Sequence, residues 1–251
     1  MENIETRPIF LTFPPFFSEK NIDLDFLQSL NPDLLFAKKT ENQLQIQERN
    51  PQDEEYFCLN IGQNFSEDEL EVLQELNDEL RLEANIKQLL IYKSMGGIIG
   101  AITLAVAISL GAWAMSKKRG RVYSEDTDYK LPNPENDEEI LWRKADVSFI
   151  SYESVSEEKQ KKFKKAITVP PDVAVEIVSA RYGLKPALWK MHYFWLKVGV
   201  KLGIVICPFS KKIYVFEKDK HYEQSIYLPF THQLLPNFVG DFSQYIDDID
   251  H

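Results

Sequence analysis

The strongest constraint on the fold is an uncharged run from Ser94 to Ser116, which contains no Asp, Glu, Lys or Arg. Basic residues follow it between Lys117 and Arg121. A run of this length and polarity has the features of a membrane-spanning helix with a cytoplasmic basic flank. A helix that is apolar on all sides is also typical of the centre of a protein core. The run therefore predicts a helix, either in a membrane or in a core.

Small residues in this run favour the core. Glycine and alanine recur along it, and such residues let neighbouring elements pack closely against a helix. We therefore expect residues 96–116 to form a helix buried in a soluble fold, and we expect no membrane association.

Composition indicates a globular protein without general affinity for nucleic acid. Hydrophobic residues make up 44% of the 251 residues, and the net charge is -10. Non-specific DNA binding depends on Lys and Arg that neutralise phosphates, so any contact with DNA must be local. The best local candidate is the basic segment at residues 159–165, for which a solvated loop is the alternative.

Cysteine usage and the N-terminal residues indicate a reducing compartment. Cys58 and Cys207 have neither a disulfide framework around them nor a zinc-ligand spacing. Met1 to Phe16 carry acidic and proline residues in place of a secretory leader. The expected location is the cytoplasm. The four histidines are scattered without ligand spacing and are assigned no role.

The first third of the chain contains an internal repeat. FLQSLN at Phe26 to Asn31 matches VLQELN at Val72 to Asn77, and QLQI at Gln43 to Ile46 matches QLLI at Gln88 to Ile91. Each copy has the pattern of an amphipathic helix, a turn and two short strands. The N-terminal segment is therefore interpreted as a degenerate copy of the unit that follows it.

The predicted organisation is an N-terminal extension at residues 1–64 and a main domain at residues 65–251. Downstream of the repeat, strand patterns alternate with helix patterns, which predicts an α/β (α+β) fold with a mixed central β-sheet flanked by helices. Residues 132–144 are proline-containing and acidic, and we expect them to form a loop.

One predicted strand, DVAVEIV, carries an acidic residue among apolar ones. Side chains alternate along a strand, so Asp172, Ala174 and Glu176 share one face. Burying an unpaired carboxylate costs several kcal/mol, so Glu176 needs a cation beside it. That cation can be an Arg or Lys side chain or a metal ion, and both hypotheses stay open. Asp172 follows two prolines and is interpreted as a turn or strand-start residue.

Five segments resemble, in order and spacing, a large bacterial family of putative restriction endonucleases within the PD-(D/E)XK superfamily. The segments are GRVYSEDTDYKLP, ADVSFIS, PPDVAVEIVSAR, WKMHYFWLKVGVKLGIVICPFSKKIYVF and LLPNFVGDFSQYI. Upstream, NDELRLEANIKQLLIYKSMGG is similar to the entry segment of that family. The resemblance covers about residues 65 to 246.

This resemblance implies a restriction-endonuclease-like core and the activity of a metal-dependent DNA endonuclease. Asp146 and Glu176 would then hold Mg²⁺ or Mn²⁺, with the backbone carbonyl of Ile177 as a third ligand. Glu83 falls where the family has its N-terminal acidic residue, whereas the equivalent position of the first copy is Ala37. From the residues alone, Asp146 also suits a turn cap, and Glu83 suits a surface charge at a strand end.

The sequence departs from the family pattern around its lysine. Two residues after the glutamate, where the superfamily has that lysine, the chain has Val178. The following helix offers Lys190 as the replacement, with Lys185 as the alternative. One extra residue lies between Lys190 and Gly199. These departures leave open a catalytically inactive relative that serves as a structural or DNA-binding module. A homodimer is a further hypothesis, motivated by the small-residue helix and the duplicated segment.

Overall fold

The computed structural model describes residues 8–14, 24–40, 42–49, 56–62, 64–77, 80–85, 87–92, 97–179, 183–246 and 249. It divides into two compact units, Met1–Ser94 and Met95–His251. Both copies of the repeat lie in the first unit, and the domain boundary expected after residue 64 stays a prediction.

Each copy in the first unit has the order strand, helix, strand, strand. The first copy contains β1 (Ile9–Thr12), α1 (Leu24–Leu30), β2 (Leu34–Lys38) and β3 (Gln43–Glu48). The second copy contains β4 (Tyr56–Asn60), α2 (Glu67–Glu75), β5 (Arg81–Asn85) and β6 (Gln88–Tyr92). In both copies the last strand lies in the middle and pairs antiparallel with the other two. The leading strand was not anticipated from the sequence.

Two glutamines make matching hydrogen bonds in the two copies. The Nε2 atom of Gln28 donates to the carbonyl three residues ahead at 3.1 Å and to the carbonyl six residues ahead at 2.8 Å. The Nε2 atom of Gln74 makes the same two contacts at the same distances. Each glutamine thus holds the turn between its helix and the following strand.

Two buried asparagines connect the copies reciprocally. Asn31 donates to the carbonyl of Asn60 at 2.9 Å and accepts from its backbone N–H at 2.7 Å. Asn77 makes the corresponding bonds to Thr12, at 2.8 and 2.7 Å. The helix end of each copy is therefore hydrogen-bonded to the first strand of the other, which satisfies buried backbone groups in both strands.

The second unit is built on a six-stranded mixed sheet in the order β14-β13-β12-β11-β10-β7. Its strands are β7 (Gly120–Ser124), β10 (Val147–Ser151), β11 (Val173–Ile177), β12 (Leu202–Cys207), β13 (Lys212–Glu217) and β14 (Lys220–Ser225). β11 and β12 are parallel to each other, and the other neighbours are antiparallel. Both parallel strands are buried along their whole length, as expected for strands covered on two faces.

One face of this sheet is covered by the apolar helix α3 (Gly97–Ser116) and by the hairpin of β15 (Phe230–His232) and β16 (Leu235–Gly240). Ile102, Val106 and Leu110 of α3 pack there against the sheet. Burial of α3 on all sides, as expected from its sequence, is wrong, because residues on its opposite side are exposed: Leu104, Ile108 and Met115. Among the described residues, α3 is the one helix long and apolar enough to cross a membrane.

The other face is covered by a helical segment from Leu184 to Val198 and by the hairpin of β8 (Tyr129–Asn133) and β9 (Asn136–Arg143). A short helix, α4 (Glu157–Gln160), also precedes β11. The loop expected at residues 132–144 is wrong. Leu131 and Leu141 are paired across this hairpin and both are buried, which outweighs the acidic residues around them.

The helical segment changes its winding along its length. It consists of α5 (Leu184–Lys190), a π-helix at Met191–Trp195 and α6 (Leu196–Val198). A π-turn contains one more residue than an α-turn between the same two ends. The extra residue expected between Lys190 and Gly199 stays a prediction. The segment then ends at Gly199, whose φ of 112° is a left-handed conformation that glycine adopts without strain.

Candidate active site

Two neighbouring strands bring the predicted acidic residues together. Val147 of β10 pairs with Val175 of antiparallel β11, so Asp146 and Glu176 lie next to each other at this end of the pair. Their exposed fractions are 4% and 6%. Glu176 lies on the same sheet face as Ala174, towards the helical segment, as its place in the strand predicted. The sheet thus carries two adjacent buried carboxylates.

Glu176 is compensated by a lysine and by an indole. Lys190 Nζ lies 3.2 Å from Glu176 Oε1 and 3.4 Å from Oε2. Trp195 Nε1 donates a hydrogen bond of 2.7 Å to Oε1. Of the two hypotheses drawn from the sequence, the lysine partner is therefore present. A metal ion beside the same carboxylate stays a prediction.

Lys190, rather than Lys185, reaches the acidic pair. Its ammonium also donates to the carbonyl of Lys144 at 2.8 Å. Lys185, one helical turn earlier, is exposed on the outer side of the segment. Val178, at the position where the superfamily has its lysine, is buried in the apolar core.

Asp146 holds the end of its own strand pair. Its Oδ2 atom accepts a hydrogen bond of 2.5 Å from the backbone N–H of Ile177. This bond fixes the side chain against β11 and is shorter than usual, as charge-assisted bonds are. The bonded N–H belongs to the neighbouring strand, so this bond is not a turn cap.

Glu83 lies on β5 of the first unit. It is only 1% exposed, so the alternative of a surface charge at a strand end is wrong. Arg81 Nη2 lies 3.3 Å from Glu83 Oε1 and partly balances its charge. Ala37 on β2 is its counterpart in the first copy. A role for Glu83 beside Asp146 and Glu176 stays a prediction.

Asp172 is a strand-start residue, as the two preceding prolines indicated. It accepts from the backbone N–H of Ser151 at 2.7 Å and from Ser154 Oγ at 2.5 Å, and Lys201 Nζ lies 2.6 Å from its Oδ1. Burial alone would raise the pKa of Asp172, but the bonds from Lys201, Ser154 and Ser151 outweigh it and lower the pKa. These contacts fasten the loop after β10 to the start of β11.

Trp195 is the residue of this site that the sequence did not single out. A buried indole N–H normally finds an acceptor, and a buried glutamate needs a donor. Both residues can be read from the sequence, but their contact cannot. The π-helix that turns Trp195 towards Glu176 has no sequence signal beyond the one extra residue. Tyr129 packs edge-on against Trp195 with ring centroids 5.6 Å apart, and burial raises the pKa of its hydroxyl.

The donor set at this end of the sheet suits a hard cation. Carboxylates, main-chain carbonyls and waters are the ligands that Mg²⁺ prefers. In the described part of the chain, no group of three or more His, Cys, Asp or Glu side chains is placed to hold a metal. An ion here would therefore depend on Asp146, Glu176 and the Ile177 carbonyl, with water completing its shell.

Comparison with known proteins gives a consistent result. A search of curated proteins finds no match. Among solved structures, that of a putative nuclease belonging to DUF820 from Anabaena variabilis is similar, with a TM-score of 0.59 and 15% identity. That match covers 72% of this chain and 96% of the other, and at this identity it shows the fold alone. The Uma2 family model, described as putative restriction endonuclease, matches residues 67–247. Since this match extends over most of the chain, the protein belongs to the Uma2 family of putative restriction endonucleases.

Proposed function

We propose that the protein is a metal-dependent DNA endonuclease whose divalent ion is held by Asp146 and Glu176. One observation carries the proposal: a lysine from the next helix lies 3.2 Å from the second of two adjacent buried carboxylates. Two acids and a lysine are the side chains that the family resemblance implies, and here the lysine comes from position 190.

The residues present fit Mg²⁺ or Mn²⁺, because the atoms that would bind the ion are all oxygens. A bound ion would activate the attacking water and stabilise the charge that develops on the phosphate.

Lys190 and Trp195 have different roles in this proposal. Trp195 fixes the orientation of Glu176 through its N–H, so that the carboxylate is preorganised. Lys190 offsets the charge of Glu176 in the absence of an ion. When DNA is bound, the same ammonium is positioned to stabilise negative charge on the phosphate, an effect that typically contributes several kcal/mol to a transition state.

The test is cleavage of supercoiled plasmid by the purified full chain, with and without Mg²⁺ or Mn²⁺. We expect metal-dependent nicking that falls by about 100-fold or more in D146N and in K190M. The matched control is K218M, because Lys218 is an exposed lysine in the turn that follows β13. This variant should cleave as the wild type does. A folded wild type without cleavage in either metal, or D146N with undiminished cleavage, would contradict the proposal.

A second candidate, an inactive nuclease-fold module, is favoured by one observation. Glu176 already contacts Lys190 with both oxygens and accepts from Trp195 with one of them. Such a set of contacts also satisfies a purely structural buried ion pair. In that case the plasmid stays intact in every metal tested, while the chain remains folded.

A further inference from the structure

The helical segment from Leu184 to Val198 buries one side and exposes the other. Its buried residues face the sheet, whereas a set of basic and aromatic residues faces outward. We call this set the outer helix face; it consists of Lys185, Trp189, His192, Tyr193 and Lys197, all exposed. Basic and aromatic residues therefore alternate along the segment at steps of about one turn.

The two large rings of the outer helix face stack on each other. The ring centroids of Trp189 and Tyr193 are 5.5 Å apart at an interplanar angle of 28°. Their exposed fractions are 54% and 48%. His192 contacts Tyr193 edge-on at 4.7 Å. Exposed aromatic groups held in a fixed stack offer a flat apolar surface on which another ring can stack.

Charge on this part of the chain is positive although the whole chain is acidic. Between Glu176 and Glu217 the sequence carries seven Lys and Arg residues and no Asp or Glu, in a chain of net charge -10. Within the described ranges, Lys185 and Lys197 form no ion pair, whereas Lys201 pairs with Asp172. The outer helix face thus has positive charge available for phosphates.

We propose that the outer helix face binds an unpaired stretch of DNA, with a base stacked on the Trp189 and Tyr193 rings and phosphates near Lys185 and Lys197. The faces of bases are accessible only where nucleotides are unpaired. Proteins bind single strands through aromatic side chains that stack on the bases and basic side chains that contact the phosphates. A duplex covers those faces by its own stacking. The inference rests on the proposed function for DNA as substrate and adds that the substrate is locally single-stranded.

The outer helix face and Lys190 belong to the same helical segment. Trp189 precedes Lys190 in the chain, and Lys190 points inward to Glu176 while Trp189 points outward. The outer helix face and the acidic pair therefore lie on opposite sides of the same helical segment.

The experiment measures binding without metal, so that it does not depend on cleavage. Dye-labelled oligothymidylate and a blunt duplex of the same length are titrated with the full chain in EDTA at low salt, and fluorescence anisotropy is recorded. We expect the wild type to prefer the single strand, W189A to weaken that binding about tenfold, and W189F to restore most of it. The duplex affinity should change little.

Two matched controls separate this surface from general effects. Tyr227 is 48% exposed, as Tyr193 is, so Y227A should bind as the wild type whereas Y193A should not. The slope of log affinity against log salt concentration reports the number of phosphates that the protein neutralises. K197A should make this slope shallower by the contribution of about one phosphate contact, whereas K218A should leave it unchanged.

Several outcomes would overturn the inference. Equal affinity of W189A and wild type for oligothymidylate, or an equal loss for single strand and duplex, contradicts stacking of an unpaired base. A shift in sedimentation of W189A with unchanged DNA affinity would assign the face to a protein interface instead. Single-strand binding in a chain that never cleaves plasmid would contradict the nuclease proposal alone.

Discussion

Glu176 is stable inside the protein because donors reach it from two elements of the helical segment. Lys190 supplies a charge at 3.2 Å and Trp195 supplies an N–H at 2.7 Å. Breaking a buried ion pair typically costs about 3 to 5 kcal/mol, since the remaining charge is left uncompensated. E176Q should therefore destabilise the fold whether or not an ion binds. Its thermal melt alone cannot separate a metal site from an ion pair, and binding must be measured directly.

The hydrogen bond from Trp195 can be isolated by comparing two tryptophans. W195F removes a donor to a buried carboxylate, and we expect it to lower the free energy of unfolding by about 2 kcal/mol. Trp142 is the matched position, because its indole N–H is buried without a hydrogen-bond partner. W142F should cost less than about 1 kcal/mol. Urea unfolding of both variants checks this, and equal costs would contradict the assigned role of the Glu176 bond.

Asp172 gives a prediction about pH. Its pKa in the folded protein is lowered below the ordinary value of 3.8, so its ionised form stabilises the fold above that value. This contribution is lost as the pH falls through the lower, folded-state pKa. At pH 7, D172N should reduce the free energy of unfolding by about 2 kcal/mol, because it weakens bonds to a charged acceptor.

Below the folded-state pKa of Asp172 the difference between wild type and D172N should vanish, since both are then uncharged at this position. Urea unfolding at pH 7 and at a series of pH values below 3.8 measures it. A difference that stays constant over this range would mean that the charge of Asp172 does not contribute.

Among the elements, the π-helix at Met191–Trp195 determines which side chains meet the sheet. Met191, Phe194 and Trp195 are buried, and the segment lies so close to β12 that a Cβ at Gly203 would overlap the Met191 sulfur. A larger residue at position 203 would therefore need the Met191 side chain to move. The helical winding continues through the π-helix, with Lys190 at its start beside Glu176 and Trp195 at its end.

The two sides of α3 should respond differently to the same substitution. I102A opens a cavity between the helix and the sheet and should cost about 2 to 5 kcal/mol. I108A, on the exposed side, should change the free energy of unfolding by less than about 0.5 kcal/mol. Denaturant unfolding measures both. Equal and large costs would show that a partner or a membrane covers the exposed side in solution.

At the scale of the whole molecule, predictions from the sequence were correct where a single local pattern determined the structure. The amphipathic pattern in the second repeat copy predicted α2, which begins with a capping box formed by Ser66 and Glu69. The alternation in DVAVEIV predicted the side to which Glu176 points. The fold class and the family were predicted from the order of several such segments, and the fold match and the family match confirm them.

Predictions failed where long-range packing decided the outcome. β9 forms because Leu141 pairs with Leu131 across the hairpin. The local composition does not predict this contact. α3 is apolar on every side, so its sequence did not reveal that only one side meets the sheet. Trp195 reaches Glu176 through a change in helix winding, and propensity contains no information about such a change.

The central claim is that Asp146 and Glu176 hold a divalent ion, and calorimetric titration of the metal-free chain with Mn²⁺ tests it most directly. The account predicts one site in the wild type, no such site in D146N, and unchanged binding in D172N. Asp172 is the matched control, because it is a buried aspartate of the same sheet whose contacts are all structural. Absence of Mn²⁺ binding in the folded wild type, or binding by D146N as tight as that of the wild type, would contradict the account.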